Sequence, residues 1–277
     1  MKLPRAICFD LDGTLADSLP DIAWALNEAR IDHRLTPVTD GQVRSWVGCG
    51  AAMLVARSLG TQDERDPRVM PVLATFLRLH ETHAQDRSTL CPGVIDLFDF
   101  LDERRVAIAC TTNKPAAAAR ALLDGLEILS RVHALVTPES CGTKKPDPRF
   151  MQTALEKLQV AAKDALVVGD GVPDIRAAKG AGIRSVAILG GYGDPAELRA
   201  AGADAYVQTV ADLLPLLRGR AWRLPTVRSA PASEADLARP ADEQPHDRRD
   251  EQRPEDPRGA HEPRRRRRRT GTPPRER

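Results

Sequence analysis

Two carboxylates follow a short apolar segment near the start of the chain. Residues 6–9 are apolar, and Asp10 and Asp12 come directly after them, before a Gly-Thr turn. Side chains two positions apart on a strand point the same way, so both carboxylates are expected to project together where the strand ends. Like charges this close repel unless a cation or a shared proton lies between them, and hard oxygen ligands favour Mg²⁺. The spacing predicts a magnesium site, with an ordinary Asp-Gly turn as the alternative.

A second polar segment follows the predicted strand at residues 106–111. Thr112-Asn113-Lys114-Pro115 bring a hydroxyl, an amide and an amine to the start of a predicted helix. The free N–H groups and the dipole at a helix N-terminus favour an anion, which suits a phosphoryl group. A helix cap followed by proline, with no ligand, explains the same residues equally well.

Two further segments supply a lysine and another pair of carboxylates. Lys145, beside a proline, can hold an ammonium against negative charge, although a surface lysine explains that residue alone more simply. Asp170 follows an apolar strand at 165–168 and is expected to complete the magnesium site with Asp10. Asp174 either caps the next helix or holds a metal-bound water. The four strands are thus followed by an acid, a hydroxyl, an amine and a second acid. This combination favours a catalytic site over four unrelated helix caps.

The elements that must position these residues form two patterns. From residue 92 onward helices and strands alternate, which predicts a doubly wound parallel sheet. The predicted strands are 106–111, 134–137, 165–168, 185–188 and 205–207, and the helices are 93–104, 115–124, 148–159, 173–181 and one ending at 217. Residues 20–88 show only helical patterns, at 21–29, 40–47, 51–58 and 71–84. The expected fold is therefore α/β: a doubly wound, Rossmann-like core formed by residues 1–15 and 89–218, with a small all-helical cap at 16–88 inserted after the first strand.

The last part of the chain differs in composition from the rest. Residues 219–277 contain 16 arginines, no lysine, 11 acidic residues and 9 of the 22 prolines. So few apolar side chains cannot offset the entropy of ordering the chain, and this segment is predicted to be a disordered tail or a run-on extension of the reading frame. The arginine run at 264–269 could attract nucleic acid, but a solvated tail is favoured and nucleic acid is not expected as a partner.

Cysteine usage and hydropathy indicate the cellular compartment of the protein. The five cysteines are scattered and lack a Cys-x-x-Cys pair, which disfavours a disulfide framework and a zinc site. No signal peptide and no apolar stretch of membrane-spanning length are recognisable, which predicts a cytoplasmic protein without a membrane partner. A monomer and a homodimer are both compatible with the sequence.

Together the four polar segments resemble the haloacid dehalogenase superfamily of phosphatases. The matching residues are Asp10-Leu11-Asp12-Gly13-Thr14, Thr112-Asn113, Lys145-Pro146, and Gly169-Asp170 with Asp174. The resemblance covers about residues 5–217, and residues 16–88 correspond to the small cap of that family. Within the superfamily, residues 10–18, Trp46-Val47-Gly48 with Gly50, and residues 112–115 look most like the phosphoglycolate phosphatases.

The resemblance implies a role for each matched residue. Asp10 would attack phosphorus to form an aspartyl phosphate, and Asp12 would protonate the leaving oxygen and then activate water. Mg²⁺ would be held by Asp10, the backbone carbonyl of Asp12 and Asp170. Thr112, Asn113 and Lys145 would hold the phosphoryl oxygens.

The resemblance also implies a substrate, 2-phosphoglycolate, which would be hydrolysed to glycolate and phosphate. Gly48 and Gly50 are candidates for contact between the cap and this small phosphorylated substrate, with a plain interhelical turn as the alternative. Cys49 and Gly171 depart from the family pattern and leave other substrates open. The alternatives are a phosphatase for a small phosphosugar, a β-phosphoglucomutase-like phosphomutase and, from another class, a nucleic-acid-binding protein with an arginine-rich tail.

Overall fold

The computed structural model describes residues 3–219. The central feature of this part of the chain is a parallel sheet of six strands. The strands of the protein are β1 (Ala6–Phe9), β2 (Ala16–Asp17), β3 (Thr89–Leu90), β4 (Ala107–Thr111), β5 (Ala134–Val136), β6 (Ala165–Gly169), β7 (Arg184–Ile188) and β8 (Ala205–Val207). The sheet has the order β5-β4-β1-β6-β7-β8, while β2 and β3 form a separate antiparallel pair.

Helices fill the connections between these strands. They are α1 (Leu19–Asp32), α2 (Asp40–Trp46), α3 (Ala51–Ser58), α4 (Val69–Thr82), α5 (Val94–Glu103), α6 (Ala116–Gly125), α7 (Pro138–Cys141), α8 (Pro148–Leu158), α9 (Val172–Gly180), α10 (Pro195–Ala201) and α11 (Leu213–Arg218). Among the described residues, no helix is both long and apolar enough to cross a membrane.

The central strand β1 shows why the sheet is covered on both faces. All four of its residues are buried. Ile7 and Phe9 pack into one apolar cluster, whereas Cys8, which points the other way, belongs to a second cluster on the opposite face. A strand buried on both sides is typical of a parallel sheet between two helix layers, so the predicted doubly wound α/β fold is confirmed.

The strand order places the predicted site residues at one edge. The chain adds β4 and β5 on one side of β1, then crosses to build β6, β7 and β8 on the other side. Phe9 is in register with Cys110 of β4 and with Val168 of β6, so the carboxyl ends of three strands lie side by side. A crevice outside the carboxyl ends at such a reversal of strand order is where ligands bind in open α/β sheets.

The helices α1–α4, which we call the helical insertion, lie between β2 and β3 and have an apolar cluster of their own. Leu26, Val55 and Phe76 are buried in it. The fully buried Asp21 of α1 accepts hydrogen bonds from the backbone N–H groups of Arg87 and Ser88, which ties the end of the insertion to its beginning. The four predicted helices are present, and no strand occurs between residues 20 and 88.

Several short elements lack a predictive pattern in the sequence. The two-residue strands β2 and β3 and the short helices α7 and α10 were not expected. Elements of this length contain too few residues for a hydrophobic period to be recognised. The predicted disordered tail lies outside the described residues, apart from Gly219.

Candidate active site

Three buried carboxylates meet at the carboxyl edge of the sheet. Asp10 follows β1, Asp170 follows β6, and Asp174 lies in the first turn of α9. One carboxylate oxygen from each lies within 4.8 Å of the other two. The apolar strands before Asp10 and Asp170 are hydrogen-bonded neighbours, so the sheet itself brings these two side chains together. Asp174 also accepts a hydrogen bond from the N–H of Gly171 at 3.1 Å, so it caps α9 and belongs to the cluster.

Lys145 lies among these carboxylates. Its Nζ donates to Asp10 Oδ1 at 2.7 Å, to Asp174 Oδ1 at 2.6 Å and to the carbonyl of Thr111 at 2.7 Å. Burial alone would lower the pKa of this ammonium, but the charges of Asp10 and Asp174 outweigh that effect and hold the pKa above its usual range. The lysine predicted as a phosphoryl ligand is therefore a fully buried cation with three acceptors.

Asp170 is fixed by two further hydrogen bonds. Thr14 Oγ1 donates to its Oδ1 at 2.8 Å, and the backbone N–H of Tyr192 donates to its Oδ2 at 2.6 Å. Gly13, at a φ of 84°, lies so close to this carboxylate that a Cβ there would collide with it. Burial, followed by the charge of Asp174, raises the pKa of Asp170 to about 6.

Asp10 and Asp12 lie in different environments although only one residue separates them. Burial and the charge of Asp174 raise the pKa of Asp10 well above its usual range. Burial also raises the pKa of Asp12, but an ion pair with Lys114 at 2.9 Å and a hydrogen bond from Ser18 Oγ at 2.5 Å outweigh it, and the pKa falls below its ordinary value. Both side chains line the same cavities, as the strand period predicts.

Thr112 and Asn113 are buried beside Asp10, and Asn113 joins two loops. The amide nitrogen of Asn113 donates to the carbonyls of Gly48 and Lys145, at 2.9 and 3.1 Å, and its Oδ1 accepts from the Lys145 N–H at 2.9 Å. The Asn113 side chain thus positions Lys145 and the Gly48 turn. Thr112 Oγ1 accepts from the N–H of Lys114 at 3.1 Å and leaves its own hydroxyl proton to rotate.

Two spaces adjoin Asp10 and Asp12. A cavity of about 40 Å³, here called the small cavity, lies between the helical insertion and the core and includes Gly48 and Gly50 in its lining. A cleft of about 690 Å³, here called the large cleft, includes Gly48 but also Arg44 and Arg57. The predicted contact residues of the insertion therefore do lie at the site.

The donor set fits a hard divalent cation. Three carboxylates offer oxygen ligands within a few ångströms, and Mg²⁺ prefers such ligands. The Lys145 ammonium pairs with Asp10 and Asp174, so the three carboxylates exceed the positive charge of that one group. The carboxylate of Asp12 lies outside this cluster, and a contribution from its backbone carbonyl stays a prediction.

A comparison with protein families decides which family this arrangement represents. The model described as haloacid dehalogenase-like hydrolase matches residues 7–188, about two thirds of the chain. The chain belongs to this family. The match begins inside β1 and ends with β7, so it includes every strand that contributes a residue to the carboxylate cluster.

This hydrolase is similar to proteins named phosphoglycolate phosphatase and to a protein whose crystal structure contains phosphate. The phosphoglycolate phosphatase of Rhodospirillum rubrum is 37% identical over 69% of this chain and 81% of its own length. The crystal structure of a predicted phosphoglycolate phosphatase from Haemophilus somnus 129pt aligns with a TM-score of 0.71 and 26% identity, over 79% of this chain and all of that one. The structure of CbbY from Rhodobacter sphaeroides in complex with phosphate aligns with a TM-score of 0.63 and 25% identity, over 76% and 96% of the two chains. The hydrolase is a phosphatase.

Sequence reasoning missed Tyr192 of this hydrolase. The Tyr192 hydroxyl accepts hydrogen bonds from the N–H groups of Ser18 and Leu19 at 2.8 and 2.9 Å, and it donates to Asp17 at 2.7 Å. Its backbone N–H holds Asp170, so one residue joins the carboxylate cluster to the start of α1. The signal that could have found it is the Gly-Gly-Tyr-Gly segment that begins two residues after the end of β7.

His80 is a second residue that the sequence did not single out. It lies on α4 of the helical insertion, is 2% exposed and lines the small cavity. Burial, followed by the charge of Lys114, lowers the pKa of His80 to about 3, so the ring is neutral at pH 7. One histidine in an amphipathic helix offers no local pattern that separates a core residue from a ligand-binding one.

Proposed function

We propose that this phosphatase hydrolyses 2-phosphoglycolate to glycolate and phosphate in a Mg²⁺-dependent reaction, through a phosphorylated Asp10. The observation that carries the proposal is the buried cluster of Asp10, Asp170 and Asp174 around Lys145. Support for the substrate comes from the relative in Rhodospirillum rubrum that is named for phosphoglycolate.

The carboxylates of Asp10 and Asp170, with Asp174 beside them, would hold the Mg²⁺ ion. When bound, the ion supplies positive charge that draws the anionic phosphoryl group to an anionic nucleophile. We also propose that residues 1–15 and 89–218 act as the catalytic core and that residues 16–88 act as a cap over it.

Asp10 is the proposed nucleophile because it belongs to the carboxylate cluster that would hold Mg²⁺ and also contacts the Lys145 ammonium. Its Oδ1 contacts the Lys145 ammonium at 2.7 Å, and its other oxygen is left for attack on phosphorus. Attack forms an acyl phosphate on Asp10 and breaks the bond from phosphorus to the ester oxygen. Lys145 would exchange one of its three acceptors for a phosphoryl oxygen, where charge accumulates, and Thr112 would donate its hydroxyl proton to another. Asn113 keeps the Lys145 loop in place.

Asp12 is the proposed acid and base. Lys114 and Ser18 keep its carboxylate ionised in the free enzyme, so it is ready to accept a proton from the water that hydrolyses the acyl phosphate. For the first step Asp12 must carry a proton to the leaving glycolate oxygen. A phosphomonoester monoanion brings one proton with it, and its negative charge favours protonation of a neighbouring carboxylate.

A phosphosugar is the second candidate substrate. The large cleft of about 690 Å³ opens onto Asp10 and Asp12 and offers room for a group larger than glycolate. A phosphomutase would share Asp10 and Asp12 and would differ in passing the phosphoryl group to a second hydroxyl instead of water.

The decisive experiment measures phosphate release from a panel of phosphomonoesters with and without Mg²⁺. We expect 2-phosphoglycolate to have the highest kcat/KM, and Asp10→Asn to abolish both turnover and labelling of the protein by the phosphoryl group. Asp124→Asn, which changes an exposed carboxyl, is the matched control and should retain wild-type activity. A phosphosugar at the top of the ranking would refute the substrate, and undiminished turnover by Asp10→Asn would refute the mechanism.

A further inference from the structure

We propose that Lys114 and His80 together form the subsite that binds the carboxylate of the substrate, and that the small cavity between them selects short phosphorylated acids. This inference rests on the proposed hydrolysis at Asp10. One lysine of the core and one histidine of the helical insertion would then discriminate between a carboxylate and an uncharged group.

The position of Lys114 agrees with the shape of such a substrate. In 2-phosphoglycolate one carbon separates the ester oxygen from the carboxylate, so the cation that binds the carboxylate must lie beside the acid that protonates that oxygen. Lys114 Nζ lies 2.9 Å from Asp12 Oδ1, and the residue is 5% exposed. An ammonium has three N–H donors, so it can serve Asp12 and a second carboxylate together.

His80 provides a polar atom that the protein itself leaves unsatisfied. Its Nδ1 is buried and has no hydrogen-bond partner among the residues that the structure describes. Buried polar atoms are nearly always hydrogen-bonded, and His80 lines the small cavity together with Asp10 and Asp12, so we assign the missing partner of its ring to a ligand. The ring stacks on Phe76 at 5.1 Å between centroids, and both residues line the small cavity.

The remaining walls limit what can accompany the carboxylate. Ile22, Leu54 and Phe76 line the small cavity and offer no partner to the hydroxyl groups of a sugar. A water needs roughly 10–15 Å³ of such volume. The cavity of about 40 Å³ therefore accommodates a group the size of a carboxylate but not a sugar ring.

Other cations at the site are less suited to this role. Arg44 donates to the carbonyl of Gly191 and lies over the ring of Tyr192 at 5.2 Å, so it is already held by the loop after β7. Arg57 lines the large cleft and lies 3.5 Å from the carbonyl of Trp46. Neither arginine lines the small cavity, which makes Arg57 a matched control for Lys114.

The test compares two substrates that differ only at the proposed subsite, 2-phosphoglycolate and ethyl phosphate, in which a methyl group replaces the carboxylate. The readout is the ratio of their kcat/KM values. Lys114→Met should lower this ratio about 100-fold, because a buried carboxylate loses its charged partner. Lys114→Met also removes the ion pair with Asp12, but that loss affects both substrates and therefore cancels in the ratio.

Two further variants keep the test independent of the folding of Lys114→Met. His80→Phe preserves a ring that stacks on Phe76 but removes Nδ1, and it should lower the same ratio about 10-fold. Arg57→Met removes a cation from the large cleft and should leave the ratio within about twofold of wild type. Circular dichroism and the unfolding midpoint confirm that each variant is folded.

Each outcome decides the inference. An unchanged ratio in either Lys114→Met or His80→Phe, a lowered ratio in Arg57→Met, or a wild type without preference for the carboxylate would overturn it. If a phosphosugar outranks 2-phosphoglycolate while the ratio still depends on Lys114 and His80, the proposed substrate is wrong but the carboxylate subsite stands.

Discussion

The two sides of the active site differ in how their polar groups are satisfied. On the core side, Lys145 has three acceptors, and Asp170 accepts from Thr14 and Tyr192. On the side of the helical insertion the walls are apolar, and the Nδ1 of His80 lacks a partner among residues 3–219. The core has assembled its charged groups before a ligand arrives, whereas the insertion leaves a polar atom for the ligand to satisfy.

This difference suggests that one group of residues carries out the reaction and another selects the substrate. Preorganised charges on the core side do not need to rearrange during the reaction, which is how an enzyme stabilises developing charge. An unsatisfied group on the other side rewards a ligand that bonds to it and penalises one that does not. Variants of the carboxylate cluster and Lys145 should therefore reduce turnover of every substrate, and variants of His80, or of Lys114 at the same small cavity, should change the ranking of substrates.

The largest effect is expected from Asp10→Asn. The amide is a poor nucleophile, so kcat should fall at least about 10⁴-fold for every phosphomonoester. A phosphate-release assay with 2-phosphoglycolate, ethyl phosphate and a phosphosugar measures this loss. If the loss were confined to one substrate, Asp10 would select the substrate instead of reacting with it, and the contrast between the two sides would fail.

Lys145→Met should cause the largest loss of stability. It leaves Asp10 and Asp174 buried without their shared cation, and removal of one partner of a buried ion pair costs about 3–5 kcal/mol. Urea unfolding in the presence of a chelator measures the change, with the exposed Lys163→Met as the matched control. A loss no greater than that of the control would show that the core charges are not mutually stabilised.

Tyr192→Phe tests the connection between the two sides and should have a smaller effect. The backbone N–H that holds Asp170 is retained, but Ser18 and Leu19 lose their acceptor, which should lower stability by about 1–2 kcal/mol. Tyr206→Phe is the control, because that hydroxyl makes a long contact of 3.4 Å at an exposed position. Equal unfolding free energies for the two variants would argue against a special role of Tyr192.

The pH dependence of stability gives the smallest effect. The pKa of Asp170 is raised from 3.8 to about 6 by burial and Asp174, so the folded state binds a proton more tightly than the unfolded state does. The contribution of Asp170 is therefore present at low pH and lost as the pH rises through about 6. The lowered pKa of His80 has the opposite effect on stability between pH 5 and pH 7, but His80 is common to wild type and Asp170→Asn. Without a divalent ion, the change in unfolding midpoint from pH 5 to pH 7 should therefore be more negative in wild type than in Asp170→Asn.

Adding Mg²⁺ tests whether the carboxylate cluster binds the ion. The ion should raise the midpoint more at pH 7, where Asp170 is ionised, than at pH 5, and Asp170→Asn should remove the difference. Differential scanning calorimetry at both pH values, with the ion and with a chelator, provides the comparison. A larger effect of Mg²⁺ at pH 5 would contradict the assignment of the cluster as its site.

Local pattern was sufficient to predict much of the core. Apolar segments followed directly by Asp10, by Thr112 and by Asp170 predicted strands and polar strand ends, and a parallel sheet necessarily brings such ends to one edge. The cytoplasmic location, the oligomeric state and the tail at residues 219–277 stay predictions. The sequence also predicted the four helices of the insertion, of which α1 and α4 have the longest apolar periods.

Contacts across the chain could not be predicted in the same way. The hydroxyl of Tyr192 is 174 residues away from Ser18, and the ion pair of Lys114 with Asp12 spans 102 residues. The sequence suggested Asn113 as a phosphoryl ligand, whereas its amide bridges Gly48 and Lys145. Which partner a polar side chain takes depends on packing between distant elements, and no periodicity encodes it.

The amino-acid sequence by itself determined the sheet, the polar strand ends and the family resemblance, because hydrophobic period and residue spacing are local properties. Only the tertiary structure decided that Asp10 and Asp12 lie in opposite electrostatic environments and that His80 faces the site. Both depend on burial and on neighbours from remote segments, which exist only after the helical insertion has packed against the core.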